Sequence, residues 1–187
     1  MMPFQAMRLR QGDGSAQGFE NQGTLSGWDG ASPGWSESTT IYNPASPSLT
    51  STTTWSYRFA HAPGGRRFHV RMRATDLCNV VFCASATGQG PALRLEARPY
   101  NSGLTAIASW EVSDISQPEG SGAFSGLAPD TWYLFEIVVH PDSTADVSVD
   151  GSPLLVGVPI NVFGDYFGIK MDGAGQGWYD DIVVTPY

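Results

Sequence analysis

Alternation of apolar and polar residues with a period of two constrains the fold of this chain more than any other feature. In the run RRFHVRMRAT, Phe68, Val70 and Met72 alternate with arginines and a histidine. This period places one set of side chains in a core and the other in water, as in a half-buried β-strand. No segment keeps an apolar period of 3.6 for three turns, so no amphipathic helix is expected.

Eight runs rich in β-branched and aromatic residues are predicted as strands, and clusters of Gly, Pro, Asn, Asp and Ser separate them. The runs are RRFHVRMRAT, NVVFCASAT, ALRLEARPY, LTAIASWEVS, TWYLFEIVVH, ADVSVDG, YFGIKMD and WYDDIVVTP. The turn sequences HPDSTAD and VDGSP favour hairpins, so antiparallel pairing is expected. The chain is therefore predicted to be all-β, an antiparallel sandwich of two sheets packed face to face. The residues expected to face its core are Phe68, Val70, Met72, Leu95, Ile137, Val139, Val147, Val149, Ile182 and Val184.

The length of 187 residues suits a single sizeable core, and we expect one domain over residues 1–187. Residues 27–54 are dense in Ser, Thr, Pro and Gly but contain large anchoring side chains such as Trp28 and Trp35. We therefore expect this loop-rich segment to pack over the sandwich rather than to act as a linker.

The charge balance and the start of the chain exclude several partners. The chain has 18 acidic and 10 basic side chains, a net charge of −8, whereas nucleic-acid binding rewards clustered Lys and Arg. No run approaches the roughly 20 apolar residues of a membrane span, so no membrane partner is expected. The opening MMPFQAMRLRQGDG lacks the apolar stretch of a signal peptide, so we expect synthesis in the cytoplasm.

Cys78 and Cys83 lie five residues apart in CNVVFC. Odd spacing on one strand points side chains to opposite faces, so a disulfide between them would need a bulge or a turn. We expect two reduced thiols that line the core, because free cysteine is among the most buried residue types. The sequence leaves their redox state open.

Two short signatures carry a family resemblance: GFENQGTLSGW at residues 18–28 and GWYDDIVVTP at residues 177–186. They resemble the two ends of extracellular jelly-roll modules, including MAM domains and calcium-containing carbohydrate-binding modules. Between them, GLAPDTWYLFEIVVHPDSTADVSVDGSPL resembles part of laminin-G-like and concanavalin-A-like sandwiches. The resemblance implies a jelly-roll, concanavalin-A-like form of the sandwich, and it specifies fold better than function.

The same resemblance implies a structural cation. In such modules the first and last strands lie side by side, and the opening Glu and an Asp of the closing strand commonly hold a metal ion. The corresponding ligands here are Glu20 and Asp181, with Asp180 as a further ligand, around Ca²⁺. Because Ca²⁺ prefers about six to eight oxygen ligands, the alternative of solvated carboxylates without a metal stays open.

One strand gives an alternative, enzymatic interpretation. Arg94, Glu96, Arg98 and Tyr100 fall at even spacing and could hold an acidic sugar. The run RLEAR resembles the Arg-x-Glu-x-Arg strand of concanavalin-A-like alginate lyases, but the histidines here do not match the Gln-x-His strand of those enzymes. No Glu-x-Asp-x-x-Glu run of the glucanase type occurs either. We expect no catalytic residue, and an alginate-lyase-like enzyme remains the alternative.

Aromatic residues are the best candidates for ligand contact, since aromatic faces stack on sugar rings in jelly-roll modules. Trp28, Trp55 and Trp132 flank strands in apolar surroundings and are predicted to be structural. The predicted ligand-binding residues comprise aromatics in or beside the loops and two arginines of RLEAR: Trp35, Tyr42, Tyr100, Trp110, Arg94 and Arg98.

Together these observations predict a non-enzymatic β-sandwich that binds a glycan or a host-surface polysaccharide. An extracellular type of sandwich without a signal peptide needs another route out of the cell, and a bacteriophage virion released by lysis supplies one. The predicted setting is therefore a structural, decoration or adhesion protein of a virion head or tail appendage, with other virion proteins as partners. The sequence names neither the ligand nor the oligomeric state.

Overall fold

The computed structural model describes residues 19–21, 23–39, 47–51, 56–75, 77–86, 90–98, 101–110, 127–128, 130–171 and 177–186. At positions 56, 65, 77, 94, 96–98 and 101–110 it describes the backbone only. These residues form strands and turns, and no helix among them is long and apolar enough to cross a membrane.

The described residues form fourteen strands. In chain order they are β1 (Phe19–Asn21), β2 (Gly30–Ala31), β3 (Trp35–Ser38), β4 (Ser48–Ser51), β5 (Ser56–His61), β6 (Gly65–Ala74), β7 (Leu77–Ala84), β8 (Gly90–Arg98), β9 (Asn101–Trp110), β10 (Tyr133–Val139), β11 (Thr144–Val149), β12 (Ser152–Pro159), β13 (Tyr166–Met171) and β14 (Gly177–Pro186).

The strands form two antiparallel sheets. Sheet A has the order β12-β11-β10-β6-β14-β4-β3, and β1 pairs with the last part of β14. Sheet B has the order β2-β5-β13-β7-β8-β9. This arrangement confirms the predicted all-β sandwich, and it places the first and last of the described strands side by side, with Glu20 opposite Val183.

The core lies between the two sheets and is built by the predicted alternation. Phe68 of sheet A packs against Phe82 and Phe167 of sheet B, with ring centroids 5.5 and 5.8 Å apart. All ten residues that the sequence predicted to face inward belong to the main core cluster. Burying large aromatic and β-branched side chains on both inner faces is the main stabilising contribution to such a fold.

Both cysteines are free and buried in the main core cluster, although their odd spacing predicts opposite faces. Cys83 has a φ of 49°, and the pairing of β7 with β13 changes register beside it. This irregularity returns the Cys83 side chain to the core side. Burial raises the pKa of the Cys83 thiol to about 11, and it raises the pKa of Cys78 further, so both thiols stay protonated.

The loop-rich segment at residues 27–54 contains more regular structure than its composition predicts. The short strands β2, β3 and β4 lie within it, and β3 and β4 form the far edge of sheet A. Pairing with longer strands allows such short, polar segments to be strands despite their weak propensity.

A single tyrosine joins the two sheets. Tyr179 of β14 is fully buried, and its hydroxyl donates to the carbonyl of Lys170 in β13 at 2.6 Å. The same oxygen accepts a hydrogen bond from the backbone N–H of Asn79 in β7 at 2.9 Å. Sheet A is thus bonded to two neighbouring strands of sheet B through one side chain.

We expect Tyr179→Phe to lower the free energy of unfolding by about 1–3 kcal/mol, because the buried hydrogen bonds of this hydroxyl to Asn79 and Lys170 are lost. Tyr133→Phe is the matched control, since the Tyr133 hydroxyl accepts from the exposed Ala128 N–H. Tyr133→Phe should lower the free energy of unfolding by less than about 1 kcal/mol, because water can replace that bond. Urea denaturation measures the unfolding free energy of both variants. Equal losses of stability in the two variants would contradict the role of the Tyr179 hydroxyl in joining the sheets.

Candidate functional site

A row of aromatic side chains lies on the outer face of sheet B. In β5, Tyr57, Phe59 and His61 alternate with the buried Arg58 and Ala60, so the three rings point away from the core. Tyr57 is 40% exposed, His61 is exposed and Phe59 is half-buried. Strand β5 therefore contributes an accessible aromatic stripe.

A fourth ring from the neighbouring strand completes this row. Tyr166 of β13 pairs in register with His61, and their ring centroids lie 4.9 Å apart. Tyr57 and Phe59 stack with centroids 5.0 Å apart and an angle of 29° between their planes. We call Tyr57, Phe59, His61 and Tyr166 the aromatic surface.

A glycine in β13 allows the Phe59 ring to lie over the sheet. Gly168 pairs in register with Phe59, and a Cβ built on it would lie 2.3 Å from Cδ1 of that ring. Any side chain at position 168 would therefore push the ring away from its place. The position of the Phe59 ring therefore depends on the absence of a Cβ at residue 168.

The backbone of β5 is well anchored, which fixes the aromatic surface. All six residues of β5 pair with β13, and Phe59 pairs with Gly30 of β2 on the other side. At one end the Tyr57 N–H donates to Ser32 Oγ at 2.8 Å, and at the other the His61 N–H donates to the Asp29 carboxylate. Binding sites on such paired strands keep their side chains in place better than sites on free loops.

Buried side chains lie next to the aromatic surface on the same face of sheet B. Lys170 pairs in register with Tyr57 on one side and with Asn79 on the other, and both polar side chains are at least 95% buried. Beside them, Val81, Ala84 and Ala92 form a small apolar cluster against which Tyr166 packs. The face thus combines aromatic, apolar and polar groups.

The residues that the sequence predicted to bind a ligand are only partly placed. Trp35 does not form an exposed platform: it is 9% exposed and packs on Tyr179 with centroids 6.0 Å apart, because β3 pairs with β4 and turns the indole into the core. Tyr42 and Tyr100 lie outside the described residues. Trp110 ends β9, where its backbone pairs with Gly90 of β8.

The two arginines of RLEAR are described by their backbone. Arg94 pairs with Asn79, and Arg98 pairs with Asn101. Strand β8 is therefore in the same sheet as the aromatic surface, two strands from β13.

Two of the three tryptophans predicted to be structural are described. Trp28 packs on Phe19 with centroids 5.0 Å apart, and Trp132 is half-buried with its indole nitrogen enclosed. Trp55 lies outside the described residues.

The three carboxylates predicted to hold a cation differ in their surroundings. Glu20 is exposed, Asp180 is fully buried, and Asp181 accepts a hydrogen bond from Arg71 Nε at 2.8 Å. In the described part of the chain, no group of three or more His, Cys, Asp or Glu side chains lies close enough to hold a metal ion. Asp181 has a φ of 46°, and the strand bulges there.

One further oxygen atom nevertheless lies near Asp180. A Cβ built on Gly23 would lie 1.7 Å from the carbonyl oxygen of Pro47 and 3.0 Å from Oδ1 of Asp180. A glycine is thus required where a carbonyl and a buried carboxylate converge, and its φ is 70°. These hard oxygen donors are the type that Ca²⁺ prefers.

The sequence did not single out the aromatic surface, although a signal was present. The run SYRFAH alternates two large aromatics and a histidine with Arg and Ala, which is a strand pattern without β-branched residues. The inward positions of this strand are Arg58 and Ala60, so its large aromatic residues lie on the outer face of the sheet and not on the core face. Alternation of aromatic residues with residues that do not usually form a core would have indicated this exposed aromatic face.

No protein family matches the chain by sequence, and no curated protein does. Several solved structures share the fold. The carbohydrate-binding module CBM66 from Bacillus subtilis is 7% identical with a TM-score of 0.54, covering 81% of this chain and 96% of the module. The cellulose-induced protein Cip1 is 14% identical with a TM-score of 0.53, covering 90% and 91% of the two chains.

A third similar structure is the Crh5 transglycosylase in complex with NAG, which is 8% identical with a TM-score of 0.58. The match covers 90% of this chain and 83% of that one. At such low identity these likenesses establish the fold, a jelly-roll sandwich of the kind found in carbohydrate-binding modules, and leave function to the site.

Proposed function

We propose that this chain is a non-enzymatic, glycan-binding β-sandwich that binds its ligand on the aromatic surface of sheet B. The observation that carries the proposal is the row of rings on a rigid strand, with Tyr57 40% exposed at one end and His61 exposed at the other. The likeness to a carbohydrate-binding module supports it.

The physical basis is stacking of sugar rings on aromatic faces. A pyranose presents a face of C–H groups, which packs favourably on the electron-rich face of an aromatic ring. From Tyr57 to His61 the stripe runs over four residue steps, about 13–14 Å at the rise of an antiparallel strand. This length exceeds a single sugar ring, so the surface suits an oligosaccharide.

Polar groups beside the rings can supply the hydrogen bonds that give specificity. The Tyr57 and Tyr166 hydroxyls and the His61 ring are in the row itself, and each can donate or accept. Binding sites for small ligands typically combine such a mainly apolar surface with a few placed polar groups.

A glycan array followed by titration tests the proposal. Tyr57→Ala and Phe59→Ala should each weaken binding of the selected glycan by about threefold to tenfold, because each removes a stacking face. Phe163→Ala is the matched control, since Phe163 is 39% exposed but lies in the connection between β12 and β13, outside the aromatic surface. Gly168→Ala should weaken binding with every aromatic residue still present.

Unchanged affinity in Tyr57→Ala and Phe59→Ala, with both variants folded, would remove the aromatic surface as the site. Equal weakening by Phe163→Ala would point to a general loss of structure. Binding to no glycan on a broad array would contradict the function itself.

A second candidate function is a polysaccharide lyase. The RLEAR strand is β8 of sheet B, so it belongs to the same sheet as the aromatic surface. The absence of catalysis stays a prediction. Release of unsaturated oligosaccharides from alginate or another uronate polymer, lost in Arg98→Ala, would favour the lyase instead.

We also propose a structural Ca²⁺ beside β14, with Asp180 as its buried ligand and the Pro47 carbonyl as a neighbouring donor. When bound, the ion would join β14 to the chain just before β4. Binding to the folded state alone stabilises by about 2.7 kcal/mol at a hundredfold excess over Kd. The part that Glu20 and Asp181 play as ligands stays a prediction.

Added Ca²⁺ should therefore raise the melting temperature, and chelator should lower it. Asp180→Asn should abolish the response, and Glu20→Gln, at an exposed side chain, is the comparison that shows whether Glu20 contributes. A melting curve that neither Ca²⁺ nor chelator moves would contradict the metal site.

The virion setting and location stay predictions from the sequence. Mass spectrometry of purified phage particles tests them: the chain should be present in stoichiometric amounts with capsid or tail proteins. Its absence from particles, together with glycan binding in isolation, would favour a cellular binding module.

A further inference from the structure

A carboxylate is held at the His61 end of the aromatic surface. Asp29 lies immediately before β2, and its side chain accepts a hydrogen bond from the backbone N–H of His61 in β5. The Cβ of His61 is bonded to the same Cα as this nitrogen. The carboxylate therefore lies within about 5–6 Å of the first atom of the His61 side chain and borders the row of rings.

This carboxylate has further hydrogen-bonding capacity and open space around it. The hydrogen bond from His61 uses Oδ2, and no described residue makes a hydrogen bond or an ion pair with Oδ1. Asp29 and His61 are both exposed. A carboxylate can accept about four hydrogen bonds. The Asp29 carboxylate can therefore accept bonds from a ligand that lies on the rings, without rearrangement of any buried side chain.

A second carboxylate at the same end already has a cationic partner. Asp165 directly precedes Tyr166 of β13, and its Oδ1 lies 3.5 Å from Nη1 of Arg66. The charge of Asp165 is thus partly balanced by this ion pair, whereas the partner of Asp29 is a neutral backbone N–H. Asp29 therefore contributes the less compensated negative charge beside the rings.

The cationic side chains of the surrounding strands do not offset this charge at the surface. Strands β2, β5 and β13 contain one arginine and one lysine, Arg58 and Lys170. Arg58 is 8% exposed on the inner side of β5, and Lys170 is 5% exposed. Neither residue therefore presents its charge to a ligand on the exposed rings.

We propose that Asp29 is a specificity-determining residue of the aromatic surface, which selects neutral oligosaccharides over those built from uronic acids. This inference rests on the proposed glycan-binding function. Asp29 Oδ1 accepts hydrogen bonds from hydroxyls of a sugar ring stacked at the His61 end, and bonds to a charged acceptor are stronger than neutral ones. A sugar carboxylate at the same place brings a like charge close to Asp29 and has no proton to donate. Selectivity then comes from both attraction and repulsion.

Titration with matched pairs of oligosaccharides tests the inference. Each pair has one backbone in a neutral form and in a form oxidised to the uronic acid: glucan and glucuronan, galactan and galacturonan, mannan and mannuronan oligomers. The wild type should bind the neutral member about threefold to tenfold more tightly than the uronate member. This preference should shrink at high salt, because salt screens charges at an exposed site.

Asp29→Asn is the informative variant, because the amide oxygen can still accept the His61 N–H while the charge is lost. It should weaken binding of the neutral oligomer by about threefold to tenfold and bring the affinities of the two members close together. A purely structural role would weaken both members equally and leave their ratio unchanged.

Asp142→Asn is the matched control for this variant. Asp142 is also exposed and also accepts a backbone N–H, from Thr144, but it lies between β10 and β11 of sheet A. Asp142→Asn should retain both the affinity for the neutral oligomer and the preference over the uronate.

Two results would overturn the inference: equal or tighter binding of the uronate member by the wild type, which needs no variant, and a neutral preference that Asp29→Asn leaves unchanged. In both cases the proposed function would stand if Tyr57→Ala still weakened binding. Binding of neither member of any pair would also overturn the inference, and the glycan array would then decide whether the proposed function falls with it.

Discussion

The bond between the Tyr179 hydroxyl and the backbone of sheet B is the interaction on which the rest of the structure depends. Hydrophobic burial holds the sheets together, but it is non-directional and permits small shifts of one sheet over the other. The hydroxyl fixes the relative position, because it bonds to the Lys170 carbonyl and the Asn79 N–H at one point. Those two residues belong to β13 and β7. These strands carry part of the aromatic surface and the buried side chains next to it.

Strand β5 serves two functions because its side chains alternate. Its outward residues, Tyr57, Phe59 and His61, form most of the proposed glycan surface, while its inward Arg58 lies between the sheets. A strand whose two faces both make contacts needs neighbours that fit each face. On the outer face, Gly168 of β13 leaves room for the Phe59 ring, and on the inner face the Trp35 ring packs against Arg58.

Sequence reasoning predicted the parts of the fold in which alternation and composition agree. In β6 and β10, and at Ile182 and Val184 of β14, large apolar residues at every second position face the core, so the period of two gave both the strand and its buried face. The resemblance of the two chain ends implied neighbouring first and last strands, and β1 pairs with β14. The strands and their buried faces depend on local patterns that the sequence contains directly, whereas the pairing of the chain ends was implied by the resemblance.

The site was harder to predict because it depends on contacts between distant residues and on exceptions to alternation. Tyr57, Phe59 and Tyr166 become one surface only through the pairing of β5 with β13, which no local pattern specifies. Trp35 was expected in an exposed loop, but pairing of β3 with β4 buries it. A positive φ at Cys83 likewise changes which face a residue takes. Register and bulges are decided by tertiary packing rather than by spacing alone.

The central claim is that glycan binds along β5, and backbone amide NMR of the ¹⁵N-labelled chain during titration with the array-selected glycan tests it most directly. The largest shift changes should fall at Tyr57, Phe59, His61 and Tyr166, and the amides of β6 and β10 on the opposite sheet should be unaffected. Changes confined to sheet A, around Arg71 and Glu136 for example, would place the ligand elsewhere and contradict the account.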